Sequence, residues 1–201
     1  DYKVTGVQTC ALPICLILGD QLHAGHSWFR MPDRDALHVL MEVRQETDYA
    51  QHHIQKVLGF FGAMRRFADA LRGAGHRVLY LALDDPRNTQ DIPGNLRWIM
   101  AACGAQRFAY QLPDEHRLDE QLSAFARSCG LPAEAVDTEH FLTARHELAA
   151  LFKGRRHFLM ERFYRTMRER TGLLMEGPRP AGGRWNYDAQ NRGRPPRTHV
   201  A

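Results

Sequence analysis

Residues 37–83 read LHVLMEVRQETDYAQHHIQKVLGFFGAMRRFADALRGAGHRVLYLAL, and their pattern decides the fold. The stretch opens with a short, mainly aliphatic run at 37–43 and closes with another at 76–83. Between them, from Ile54, apolar side chains recur at Val57, Leu58, Phe61, Met64, Phe67, Ala68 and Leu71. That i, i+3, i+4, i+7 spacing sets them on one stripe of a helix, and Gly73 and Gly75 supply stop signals. The two flanking runs are too short for helices and are bounded by polar residues, so they read as strands buried in a sheet. Strand, helix, strand in this order predicts parallel strands joined by a right-handed crossover.

Outward from this unit the alternation continues. Residues 16–18, with apolar neighbours back to Leu12, form a first strand that stops at Gly19 and Asp20. Residues 107–110 read as a weaker fourth strand and 135–138 as a fifth. Helices are predicted at 96–103 and 118–129, the second ended by Gly130, Leu131 and Pro132. The predicted fold class is therefore α/β, a Rossmann-like, doubly wound, parallel five-stranded sheet spanning 16–140. From about Phe141 the strand signal stops. Residues 143–152 and 157–171 read as helices, and Pro178, Pro180, Gly182 and Gly183 then break the chain. Residues 141–192 are expected to be a helical and loop connector, and 193–201 the start of an interdomain linker.

Composition narrows the function classes. At 201 residues with 44% hydrophobic side chains, the chain can bury a full core. No apolar run approaches the ~20 residues that cross a bilayer, so a soluble protein with no membrane partner is expected; scattered cysteines without a secretory leader suit a reducing cytoplasm, and a monomer is expected. Cys10, Cys15, Cys103 and Cys129 form no CxxC pair and have no histidine at ligand spacing, which argues against a metal site built from them. Residues 1–15, DYKVTGVQTCALPIC, lack a start methionine and any periodicity; they read as a non-native, adapter-like segment rather than a signal peptide. Charge is unevenly spread. From Gly154 onward there are 11 Arg, no Lys and 4 acids, a net of +7, which leaves the preceding residues at −3 in a chain of +4. An arginine-rich, aromatic-containing tail points to a polyanion or to a solvated helix face.

In a doubly wound sheet, ligands bind beyond the carboxyl ends of the strands, near the reversal of strand order. The first strand delivers Gly19, Asp20 and Gln21 to that edge, and the second delivers Met41 and Glu42, followed by Glu46 and Tyr49. Asp and Gln can bond the polar edge of a heterocycle or a chain of hydroxyls. The bland alternative makes Asp20 a turn cap, and His52 and His53 ordinary helix-start residues. Neither GxGxxG nor GxxxxGK[ST] is present, so a standard dinucleotide or P-loop site is not supported. In the tail, Trp185 and Tyr187 stand beside Arg184, a grouping that stacks on bases or flavins, or anchors a loop.

The motif LILGDQL, the glutamate at the end of the second strand with two histidines ten residues on, and the tail GRRHFLMERFYRTMRERTGLLMEGPRPAGGRWNYDAQNR together resemble the bacterial photolyase-related branch of the photolyase/cryptochrome family. The resemblance covers roughly residues 16–197. It implies a two-part flavoprotein whose α/β domain carries an antenna chromophore of the ribityl-lumazine type. A following helical domain would bind FAD, a 4Fe-4S cluster and damaged DNA, and would reverse UV-induced pyrimidine lesions by electron transfer from reduced FAD. Carried over by motif, the antenna contacts are Asp20, Gln21, Met41, Glu42, Glu46 and Tyr49. Arg165, Arg184, Trp185, Asn186 and Tyr187 are expected on the FAD or DNA side, or between domains. The resemblance places the catalytic residues and cluster cysteines outside this chain, so the fragment alone is expected to be inactive and none of its four cysteines is assigned to the cluster. Two other classes compete: a cryptochrome-like photoreceptor without enzymatic activity, and a nucleic-acid-binding α/β module. A stand-alone nucleotide-binding domain ranks last, for want of a phosphate-binding glycine loop.

Overall fold

A computed structural model describes residues 12–188, so the linker expected at 193–201 and most of the adapter-like segment lie outside the described residues. Two compact units divide the chain, Asp1–Phe141 and Leu142–Ala201.

The first unit holds five strands, β1 (Pro13–Leu16), β2 (Leu37–Met41), β3 (Arg77–Leu81), β4 (Arg107–Gln111) and β5 (Ala133–Val136). All pairings are parallel and the spatial order is β3-β2-β1-β4-β5, the doubly wound α/β arrangement predicted. The central strand takes three residues of the 1–15 segment: Ile14 lies opposite Leu37 on one side and Phe108 on the other. Four helices accompany the sheet: α1 (Gln45–Asp48), α2 (Ile54–Gly73), α3 (Ile92–Cys103) and α4 (His116–Ser128).

Alternation along β2 explains the run that opened the sequence reading. Leu37, Val39 and Met41 join the core made with Leu96 and Ile99 of α3 and with Leu118, Leu122 and Phe125 of α4. Leu40 turns to the other face and meets Phe61, Met64, Ala68 and Leu71 of α2. Both faces are covered, so the strand is apolar on both, as parallel sheets require. The predicted helix at 96–103 begins earlier, at Ile92, because Asp91 caps it by accepting the Gly94 amide at 2.7 Å and Pro93 occupies the first turn. The fifth strand lies two residues ahead of its predicted place.

The second unit holds α5 (Glu147–Leu151), α6 (Met160–Thr171) and a two-residue antiparallel ladder, β6 (Met175–Glu176) with β7 (Arg179–Pro180). Gly172, in the left-handed region at φ 71°, ends α6 where the sequence marked its stop. The ladder is too short to leave a period-2 pattern.

Candidate ligand-binding site

Strand order reverses between β1 and β4, and a cavity of about 190 Å³ opens beyond the carboxyl ends of β1 and β2, beside the start of α4. Its walls are apolar: Leu18, Met41 and Val43 continue the strands, Val57, Phe60, Phe61 and Met64 come from α2, and Ile92 and Leu118 from the opposite face. Its rim is polar, with Asp20, Glu46, Thr47, Tyr49, His52, Lys56 and Glu115.

Of the six antenna residues named from sequence, four line this cavity: Asp20, Met41, Glu46 and Tyr49. Gln21 and Glu42 do not; both spend their polar atoms inside the protein. Gln21 is fully buried, accepting the Leu18 amide at 3.0 Å and donating to the Gln111 carbonyl at 3.2 Å, so it staples the turn after β1 to the end of β4. Glu42 is equally buried. It accepts two bonds from Arg65 at 2.6 and 2.8 Å, one from the Tyr80 hydroxyl at 2.6 Å and one from the Leu83 amide at 2.9 Å. Burial alone would raise its carboxyl, but these donors outweigh it and hold it below the usual carboxylate range. A buried charge survives only with such partners, which is why Glu42 serves the fold and not the cavity.

Asp20 is the exposed acid of the site, its carboxylate held by its own backbone amide. One side stays open to solvent, yet the surrounding protein pushes its carboxyl above the usual range, and Asp114 and Glu115 add to the push. Glu46 is likewise raised by burial, against the pull of Arg117. Arg117 is the residue that sequence reading missed. Its guanidinium bonds Glu46 at 3.1 and 3.3 Å and Glu115 at 2.8 and 3.1 Å, and lies 4.6 Å from the centre of the Tyr49 ring. It thereby ties α1 to the start of α4 across the cavity mouth. No signal short of knowing the strand order brings residues 46 and 117 together. The two histidines divide their roles: the ring of His53 caps α2 by accepting the Gln55 amide at 3.2 Å, while His52 stands on the rim, 3.2 Å from the Lys56 ammonium nitrogen.

In the second unit, Trp185 is half-buried, with two guanidinium groups over its ring, Arg165 at 5.5 Å and Arg168 at 5.3 Å from the ring centre. Arg168 is buried and donates to the Leu174 carbonyl, which fixes the loop after α6. The Tyr187 hydroxyl donates to the Gly182 carbonyl at 2.9 Å, and the Asn186 side chain accepts the Asp188 amide at 2.7 Å. Arg184 is exposed at the end of the 3-10 turn Ala181–Gly183. Trp185, Asn186 and Tyr187 thus hold this loop together, and Arg165 also pairs with Glu161 at 2.5 Å.

A family model described as deoxyribodipyrimidine photo-lyase-related protein matches residues 15–201. Over 181 residues the chain is 39% identical to a (6-4) photolyase of Agrobacterium fabrum, covering 89% of this chain and 36% of that one. An uncharacterized protein, R852, of Acanthamoeba polyphaga mimivirus is 21% identical over 169 residues, 80% of this chain and 84% of its own. The chain thus spans about a third of the length of the photolyase it matches.

Proposed function

Because the chain belongs to the deoxyribodipyrimidine photo-lyase-related family, we propose that it is the chromophore-binding part of a light-driven DNA-repair flavoprotein, and that the cavity at the sheet edge takes a ribityl-lumazine-type antenna. The observation that carries the reading is the combination of apolar walls with a rim that includes three carboxylates near the reversal of strand order. Those residues fit such a molecule. Met41, Leu18 and the α2 side chains would receive the ring, and Asp20, Glu46 and Thr47 would accept bonds from ribityl hydroxyls and ring N–H groups. When bound, an antenna of this class absorbs near-ultraviolet and blue light and passes the excitation on to a flavin. The chain's own work is to bind the ring, exclude water from it and fix its orientation.

FAD, a 4Fe-4S cluster and DNA belong to the proposal for the whole protein. Among the described residues, no group of three His, Cys, Asp or Glu side chains is placed to hold a metal ion, and the thiol of Cys15 is buried in the central strand and pushed up to about 12. No step is therefore assigned to a cluster in this chain.

The test is a fluorescence titration of the purified 201-residue chain with a ribityl-lumazine. Saturable binding that weakens in the double variant Asp20→Ala, Glu46→Ala is expected. A flat titration, or unchanged binding in the double variant, overturns the antenna reading.

A further inference from the structure

Phe60 lies at the exposed edge of the apolar stripe that seats α2 on the sheet. That stripe runs through Phe61, Met64, Ala68 and Leu71, all buried, whereas Phe60 is 37% exposed. A large aromatic beside the stripe is ordinarily left in solvent. Here it lines the cavity instead, with its ring laid against the strand end at Gly19. A Cβ at position 19 would come within 2.4 Å of two Phe60 ring carbons and 2.8 Å of the Met64 sulfur. No side chain larger than hydrogen fits there unless the ring moves. Gly19 follows the first strand and precedes Asp20, so the missing side chain and the exposed carboxylate belong to neighbouring residues of the cavity lining. Phe61, tilted 53° to Phe60 with ring centres 6.2 Å apart, packs beside it on the same cavity wall.

We propose that Phe60, admitted by Gly19, is the ring-stacking wall that makes the cavity select a planar heteroaromatic ligand over a flexible polyol or aliphatic one. The inference rests on the antenna reading for the identity of the ring, and adds the residue that recognises its face. An aromatic face offers dispersion and an oriented quadrupole to a flat ring, which an aliphatic side chain of similar size does not match. The adjoining Asp20 carboxylate would then meet the ring edge, so face and edge are read by neighbouring residues.

The experiment titrates the full 201-residue chain with a ribityl-lumazine, with riboflavin and with ribitol, in the wild type, Phe60→Leu, Gly19→Ala and the double variant Gly19→Ala, Phe60→Leu. Circular dichroism and thermal melting check that each variant is folded. Phe60→Leu keeps apolar volume while removing the ring, and is expected to weaken both ring ligands roughly three- to tenfold. Gly19→Ala should weaken them comparably in the wild-type background and have little further effect once the ring is gone, because its Cβ acts through Phe60. Ribitol should bind too weakly for any variant to change it. If the ring ligands bind the wild type and Phe60→Leu binds them equally well, the stacking wall is wrong while the antenna reading stands. If Gly19→Ala is just as harmful without the ring, the coupling between the two residues is wrong. If the wild type binds neither ring ligand, both the antenna reading and this inference fall.

Discussion

His38 shows what a single buried side chain does to this protein. It sits on β2, 1% exposed, against the rings of Trp28, Phe29 and His76, and its Nδ1 has no hydrogen-bond partner. Burial above all, and then the neighbouring His76, lower its pKa from an ordinary 6.5 to about 4; a hydrogen bond with the Arg77 backbone and then Asp33 pull the other way, and His26 adds to the lowering. As pH falls below about 6.5 the unfolded chain takes up a proton that the folded chain refuses, so stability drops until the folded value is reached. Asp20 and Glu46, whose carboxyls are raised in the fold, act in the opposite sense over the lower part of this range. Between pH 7 and 4.5, His38→Leu should therefore lose less stability than the wild type, by on the order of 2 kcal/mol, measured by urea unfolding at both pH values. Parallel pH dependence in the two proteins would refute the assignment. At this scale sequence was a poor guide to roles. Asp20 and Glu42 are both strand-end carboxylates, but only the positions of Arg65, Tyr80 and Leu83 decide that one is inward and the other exposed. Phe60 and Phe61 differ only in helical phase, and the role of the first depends on a glycine forty-one residues earlier.

Among elements, the bridge from α1 to α4 makes the clearest claim. Arg117 holds Glu46 and Glu115 and faces the ring of Tyr49, so it fixes the short loop between β2 and α2 over the cavity. Its charge draws the Glu46 carboxyl down against the effect of burial. Arg117→Ala should raise the Glu46 pKa further and loosen residues 44–53. Carbon-detected NMR titration of the Glu46 carboxyl is the direct measure, and a fall in that pKa would contradict the bridge. Elements were also where sequence reading worked best. Five strands, their parallel character and the long helix α2 follow from periodicity, since burial on two faces leaves strong apolar runs. The weaker cases have physical causes. In β5, alternation fails because Ala133, Glu134 and Ala135 are exposed, as an edge strand permits. The start of α3 is set by its cap rather than by apolar periodicity, and β7 by a turn too tight to show a pattern.

At the scale of the whole molecule, an exposed apolar patch in the second unit matters most. Phe158, Leu159 and Met160 are consecutive and 66%, 65% and 74% exposed, at the start of α6 in the arginine-rich second unit. Exposed apolar patches of this kind drive association. The chain should bind a hydrophobic dye and sediment faster at higher concentration, and the double variant Phe158→Ser, Leu159→Ser should suppress both. Sedimentation independent of concentration in the wild type would count against this. β1 is made first, yet it lies in the middle of the finished sheet, between β2 and β4. During synthesis, one edge of β1 can pair with β2 soon after it emerges, while the other must wait until β3, three helices and β4 have been added. Until then the half-built sheet presents an open edge beside Ile14 and Leu16, and the cavity above it has no α4 wall. Closing so long a loop is slow, so the completion of the sheet and of the cavity should be one late event, set by the arrival of β4, α4 and β5.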